Sequence, residues 1–554
     1  MALYRAVAEL GAYSGTGDYL FSAGVLHPSS STDAYFEAAW DRLGLRQYGG
    51  IEEFRFLATS FAERQARTIA DVAKDNSIVG LSSTFTQTVA SLAFAQRLKG
   101  LRPDIFVVLG GYNVNPERAE VLLRLDPWLD YCVAGDGEAA LVSLAAQLDD
   151  GGAVVVPGVR GRDADRTTGD LAVTWDLNAS ALPSFSSFFE QLTTAGMAAE
   201  IEPALCLEIS RGCWWGQKRH CTFCGLNHEN MTFRRRERSA ADDIVKLVND
   251  YEVLDVFFAD NILHPDDIDH VFGRLPADWD LRIHLEVKVD LTFTQLLELR
   301  QHGVWHLQPG IESLSRRTLG LMRKGATPVQ CVRFLRHTEE LGITCTWNYL
   351  IGFPGETPDD HASFFDQQDK LAHLQPPGFG GEISIVRYSP LFTDPDLGLP
   401  NLVPSEYCRA LFAGFDDSDI FALSDVFEPR SGVAYDVGLR ERVRSAVTRW
   451  KAGYAESRLV ETEEDGRVIV ERIHLGRSSQ VLVLSEPADV DLWRILREGA
   501  SRQQIITAMD TMDWADIQLR LQRWSDVDRV VFTDGGAWIA TPTRYYDHLP
   551  EKMG

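Results

Sequence analysis

Three cysteines carry the most distinctive chemistry in this chain. Cys213, Cys221 and Cys224 lie within the stretch CWWGQKRHCTFC. Thiolates are the ligands that iron–sulfur clusters select. Three of them leave one iron of a four-iron cluster open, and an open iron can chelate the amino and carboxylate groups of S-adenosylmethionine. An electron passed from cluster to sulfonium then cleaves the bond to the 5′ carbon. The same residues also admit a structural zinc site with His220 or His228 as fourth ligand, although no second CxxC pair is present.

Further polar groups follow at the ends of apolar segments. Asp260 and Asn261 close FFADN, and Glu286 and Lys288 close HLEVK. In QPGIES, Gly310 and Glu312 join an apolar run to a helix start, where backbone amides can meet a carboxylate or ribose and Glu312 can accept from hydroxyls. The stretch from Gly352 to Glu356 reads as a turn. The basic run Arg234, Arg235, Arg236 with Arg238 reads as a solvated face. Cys132, Cys206, Cys331, Cys345 and Cys408 are scattered among apolar neighbours and read as small buried hydrophobes.

These groups need a scaffold, and the pattern is α/β throughout. SIVGLSSTFTQTVASLAFAQRLKGLRPDIFVVLGG, from residue 77, spells strand, helix, strand. With WLDYCVAGDGEAALVSLAAQL it predicts a Rossmann-like, doubly wound domain over residues 1–155. A polar linker over 156–195 follows. Alternating strands and helices over 196–430 predict a partial (β/α) barrel with its reactive groups at the strands' C-terminal ends. A connector at 431–455 leads to helices and a hairpin over 456–554 that predict a small winged-helix-like domain. Trp493, Trp524 and Trp538 there read equally as core or contact residues.

Composition narrows the partners. A chain of 554 residues is expected to hold two to four domains. Its net charge of −26 repels phosphate backbones and anionic membranes, so no nucleic acid and no membrane partner is expected. No apolar run reaches the roughly 18 residues of a membrane helix, and the first residues lack a secretory pattern, so the expected place is the cytoplasm. Eight cysteines are too few for a disulfide scaffold of this length.

The ordered series CWWGQKRHCTFCGLN, FFADN, HLEVK, QPGIES, MRKG, WNYLIGFPGE and VRYSPLF resembles the radical SAM enzymes that mature ribosomally made peptides. Within them it is most similar to the bacteriocin-maturation subgroup with a cobalamin-binding-like N-terminal domain. The likeness runs from about residue 77 to 430, and the CxxxxxxxCxxC spacing departs from the superfamily's usual CxxxCxxC in the manner of that subgroup. It implies that Cys213, Cys221 and Cys224 hold a [4Fe-4S] cluster. It also implies that Asp260, Asn261, Glu286, Lys288, Gly310 and Glu312 surround S-adenosylmethionine, and that an electron donor such as flavodoxin or ferredoxin serves the cluster.

Ser82 and Thr84 after one strand, and Gly110 and Gly111 after the next, resemble two fingerprints of cobalamin-binding domains, where small residues let backbone approach the cofactor. The third fingerprint, DxHxxG, is missing, and no histidine lies between His27 and His220. The C-terminal domain resembles the elements that capture a precursor peptide's leader as an added strand. The implied reaction is C-methylation of a peptide side chain. Without cobalamin it becomes crosslinking or epimerisation. Modification of a small-molecule antibiotic intermediate and a non-catalytic, metal-bound peptide-presenting scaffold are the other readings. Tyr388 in VRYSP is a candidate to face substrate, with core packing as its plainer role.

Overall fold

The computed structural model describes residues 7, 11–26, 28–151, 154–162, 171–172, 174–225, 232–236, 240–397, 399, 401–430, 436–474 and 477–544. They form two compact units. No helix among them is long and apolar enough to cross a membrane.

The first unit comprises residues 1–179 with 385–387 and 400–430. Its sheet holds β1 (Ile78–Ser82), β2 (Phe106–Gly110), β3 (Tyr131–Val133) and β4 (Val159–Gly161). The first three are parallel, with the helices Thr88–Leu101 and Pro116–Leu125 as crossovers, and β4 runs antiparallel to β3. Apolar β-branched strands bury Val107 and Leu109 in a core with Trp40, Phe36, Leu92 and Leu98. The order β1-β2-β3-β4 runs one way without the reversal that marks a doubly wound sheet.

The second unit comprises 180–384, 388–399 and 431–554. Its centre is the parallel sheet of β5 (Leu205–Leu207), β6 (Asp255–Phe258), β7 (Arg282–Val287), β8 (Val304–Pro309) and β9 (Thr344–Cys345), ordered in sequence. β10 (Asn348–Ile351) and β11 (Phe379–Glu382) form a further parallel pair, tied to the end of β8 where Leu350 N donates to Glu312 O. This is the partial barrel. Along β7 the alternation is plain: Ile283, Leu285 and Val287 are buried, while Arg282, His284 and Glu286 share the other face. Thr292 and Thr327 start the helices Phe293–Gln301 and Pro328–Glu340 with capping boxes.

Boundaries differ from those expected. β4 and residues 154–162 belong to the first sheet rather than to a linker, and 400–430 belongs to the first unit rather than the barrel. A buried charge explains the second difference: Arg118 lies 2% exposed, donates to Leu423 O at 2.7 Å and pairs with Asp425 at 2.9 Å. The expected connector is the 20-residue helix Val437–Glu456, whose Trp450 packs edge-on against Trp347.

The C-terminal part opens with an antiparallel meander of β12 (Ser457–Glu464), β13 (Arg467–His474) and β14 (Arg477–Leu484). The helices Pro487–Arg497, Arg502–Ala508 and Trp514–Gln522 and a small sheet with the hairpin Val531–Thr533/Ala537–Ala540 complete the winged-helix shape. Trp493 and Trp524 are core, and Trp538 packs half-buried beside Trp514. This part is fused to the barrel: Arg336 donates to Ala540 O at 2.8 Å, Lys370 to Ser525 Oγ at 2.7 Å and His373 to Thr541 O at 2.8 Å.

Candidate active site

The cysteine stretch is braced from several sides. Cys213 caps the short helix Trp214–Lys218, its sulfur accepting from Gly216 N at 3.3 Å. Thr222 N donates to Met322 O and Thr222 Oγ1 to Leu321 O, while Leu391 N donates to Thr222 O at 2.8 Å. Trp214 Nε1 donates to Leu263 O at 3.0 Å beyond the end of β6. Gly325, at φ 66°, lets Trp215 lie against it; a methyl group there would stand 2.1 Å from the indole. The loop therefore sits at the C-terminal ends of the barrel strands.

None of the eight cysteines forms a disulfide. Four of the scattered five are buried, as small hydrophobes should be, whereas Cys206 on β5 is exposed. His220 Nε2 donates to Cys224 O at 2.8 Å, and burial holds its pKa low. His228, the other candidate fourth ligand, lies outside the described residues, as does Arg238. Among the described residues no three His, Cys, Asp or Glu side chains converge on a single metal ion. A four-iron cluster instead spreads three thiolates over three corners, and the donor set of three cysteines on one loop, none in a disulfide, fits it.

The strand ends bring the remaining candidates together. Asp260 is buried after β6; its Oδ2 accepts from Ile209 N at 3.1 Å and its Oδ1 meets no donor among the described residues. Burial pushes its carboxyl up to about 7. Asn261 follows half-buried. Glu286 accepts from Gln308 Nε2 at 3.2 Å, and burial pushes it too up to about 7, opposed by Lys324 and reinforced by Glu312 and Asp260. Glu312, in left-handed backbone at φ 55°, pairs with Lys324 at 2.8 Å. Burial depresses the Lys324 ammonium, but Glu312 and Cys221 outweigh it and the pKa rises. Gly310 makes room for this pair, since a β-carbon there would lie 2.6 Å from Lys324 Nζ. Lys288 is buried over the Trp215 ring at 4.2 Å.

Two features were missed among the sequence candidates. Lys324 stands in the MRKG segment, which was visible as a motif but carried no assigned role. His284 and His306 stack at 4.2 Å and 10° as cross-strand partners on β7 and β8, His284 pushed down to about 4 by burial and by its neighbour. Only register could reveal that pair. Tyr388 is half-buried at φ 69°, three residues before the Leu391–Thr222 contact. Two of the arginines in the run are ion-paired rather than merely solvated: Arg235 pairs with Asp267 at 2.8 Å and Asp266 at 3.1 Å, and Arg236 with Asp243.

In the first unit, Ser82 and Gly110 are cross-strand partners, and Ser83 N donates to Gly110 O at 2.8 Å. Gly111, at φ 95°, packs so closely on Ser83 that a β-carbon would lie 2.6 Å from its oxygen. Thr84 N donates to Gln87 Oε1 at 3.0 Å. Asn113 stitches the two loops, donating to Ser83 Oγ at 2.9 Å and Phe85 O at 2.7 Å. All four sequence candidates thus lie at the C-terminal ends of β1 and β2, where the missing side chain of Gly111 lets the two loops pack on each other.

Residues 207–367 match the model of the Radical SAM superfamily. An uncharacterized methyltransferase of Pyrococcus horikoshii is 24% identical over 311 residues, 53% of this chain and 65% of that protein. The anaerobic magnesium-protoporphyrin IX monomethyl ester cyclase of Rubrivivax gelatinosus is 23% identical, over 57% of this chain and 58% of the cyclase. The chain thus spans less than two thirds of the length of either relative. Among solved structures, the radical S-adenosylmethionine methyltransferase TsrM from Kitasatospora setae, with cobalamin and a [4Fe-4S] cluster bound, aligns at TM-score 0.51 and 16% identity, over 71% of this chain and 81% of that one. The cobalamin-dependent S-adenosylmethionine radical enzyme OxsB with aqua-cobalamin aligns at 0.50 and 18%, over 66% and 57%. At such identities these are likenesses of fold.

Proposed function

We propose that this protein is a radical S-adenosylmethionine enzyme that binds cobalamin and methylates a carbon of a ribosomally made precursor peptide. The carrying observation is the three-cysteine loop braced on the strand ends near the buried carboxyl of Asp260, whose Oδ1 meets no donor among the described residues. Cys213, Cys221 and Cys224 would hold the cluster. Asp260, Asn261, Glu286 and Glu312 would receive the amino and hydroxyl groups of S-adenosylmethionine, with Gly310 leaving room for the Glu312–Lys324 pair beside them. Ser82, Thr84, Gly110 and Gly111 would receive cobalamin. When bound, cluster and S-adenosylmethionine supply a carbon radical able to take hydrogen from an unactivated carbon, and cobalamin supplies a methyl group.

Support for cobalamin comes from the fold shared with cobalamin-bound proteins. The lack of any histidine between His27 and His220 sustains a second reading, cobalamin-free crosslinking or epimerisation. Support for a peptide comes from the meander in front of the winged helix: β14 is an edge strand, and an extended segment can add to such an edge. A flavodoxin or ferredoxin would deliver electrons in the cytoplasm.

The test is anaerobic reconstitution with iron and sulfide, followed by reduction in the presence of S-adenosylmethionine. A reducible four-iron cluster and release of 5′-deoxyadenosine are expected; their absence sinks the enzyme reading. Stoichiometric cobalt after purification with cobalamin favours methylation, and its absence favours the second reading.

A further inference from the structure

Both intervals of the cysteine loop contribute an aromatic ring that carries a lysine, one buried and one largely covered. Trp215 lies between Cys213 and Cys221, with Lys288 Nζ 4.2 Å from its centroid. Phe223 lies between Cys221 and Cys224, with Lys324 Nζ 5.6 Å from its centroid. Neither lysine belongs to the loop itself. Lys288 follows β7 and donates to Gly325 O at 3.3 Å, whereas Lys324 precedes that glycine and pairs with Glu312 at 2.8 Å. Lys288 is 7% exposed, and its nearest acidic partner, Asp290, stands 3.8 Å away and half in solvent. Both ammonium groups act electrostatically on Cys221, and Lys324 also on Cys224.

We propose that Lys288 and Lys324 are potential-setting residues: packed on the rings of the cysteine loop, they hold two positive charges beside the cluster and make its one-electron reduction easier. This rests on the loop's reading as a cluster site. Reduction adds one negative charge to a centre already ligated by three thiolates. In a buried setting a fixed cation stabilises that added charge far more than it would in water. Glu312 works against it, because its carboxylate offsets Lys324. The two lysines are therefore unequal: Lys324 is compensated at 2.8 Å, and Lys288 is left with the larger uncompensated field. Ring packing fixes both charges in place, since a cation over an aromatic face is held without being neutralised.

The test is a redox titration of the full-length reconstituted protein, without S-adenosylmethionine, read by electron paramagnetic resonance of the reduced cluster. Lys288→Met and Lys324→Met should each shift the midpoint to more negative potential, Lys288→Met by more. Glu312→Gln should shift it the other way, and Lys288→Arg should restore the wild-type value. This pattern of signs is one that a purely structural role would not produce. Unchanged midpoints with full iron content overturn the proposal. Should the methionine variants fail to assemble a cluster, Glu312→Gln still decides, because a midpoint that does not rise overturns it. A wild-type protein that assembles no four-iron cluster defeats the underlying reading instead, and is recognised as such before any variant is compared.

Discussion

Two regions of the second unit bury a carboxyl to a similar depth, Glu461 and Glu340 in one and Asp260 in the other, and treat it in opposite ways. Where the C-terminal part meets the barrel helix Pro328–Glu340, Glu461 accepts from Trp493 Nε1 at 2.8 Å and Arg544 Nε at 2.7 Å and pairs with Arg497. Glu340 accepts from Arg497 at 3.0 Å and Arg544 N at 2.9 Å. At the cysteine loop, one oxygen of Asp260 meets no donor among the described residues, and desolvation raises both it and Glu286 to about 7. A buried carboxylate with its partners in place is part of the architecture. One held without them stores free energy that a bound cationic or hydroxylic ligand can release.

The comparison breaks most visibly at the loop. Cys221→Ala should abolish the four-iron absorbance and reduce 5′-deoxyadenosine to background while leaving the unfolding midpoint nearly unchanged. At the interface, Glu461→Ala removes one carboxylate partner from each of the Arg497 and Arg544 guanidinium groups and leaves the Trp493 indole N–H without its acceptor. It should cost about 3 to 5 kcal/mol in urea unfolding, with cluster content unaffected. Asp260→Asn should do the reverse. The native carboxyl titrates near 7 against 3.8 when unfolded, so it holds a proton that the unfolded chain has lost, and stability falls as pH rises through that window. The asparagine variant escapes this fall. It should be more stable than wild type by about 1 to 3 kcal/mol above neutral pH, equal to it below the window, and weaker for S-adenosylmethionine by calorimetry.

Glu286 gives the subtlest outcome. A cationic ligand should draw its pKa down, so binding near pH 6.5 should release protons, seen as a dependence of binding heat on the buffer's ionisation enthalpy. Glu286→Gln should reduce that release by a fraction of a proton. If Glu461→Ala proved harmless, or Asp260→Asn destabilising, the contrast between the two regions would fail.

Much of the site was legible in the chain because its parts are local. Cys213, Cys221 and Cys224 lie within one loop, and Asp260, Glu286 and Glu312 each follow an apolar run whose period marks a strand. A strand's end is a local property, and a parallel sheet places every such end on one edge. Lys324 was harder to assign, since its role depends on Gly310 and Glu312 folding back onto it.

What the sequence determined by itself was therefore the α/β alternation, the thiolate nest and the set of strand ends behind it, because each rests on neighbours within a few residues. Tertiary structure alone decided the rest. It assigned 400–430 to the first unit through Arg118 and Asp425, fused the winged helix to the barrel through Arg336 and His373, and set Lys288 and Lys324 over the rings of the cysteine loop. These are pairings between charges and polar groups far apart in the chain. Their free energy depends on burial, and burial is a property of the whole fold.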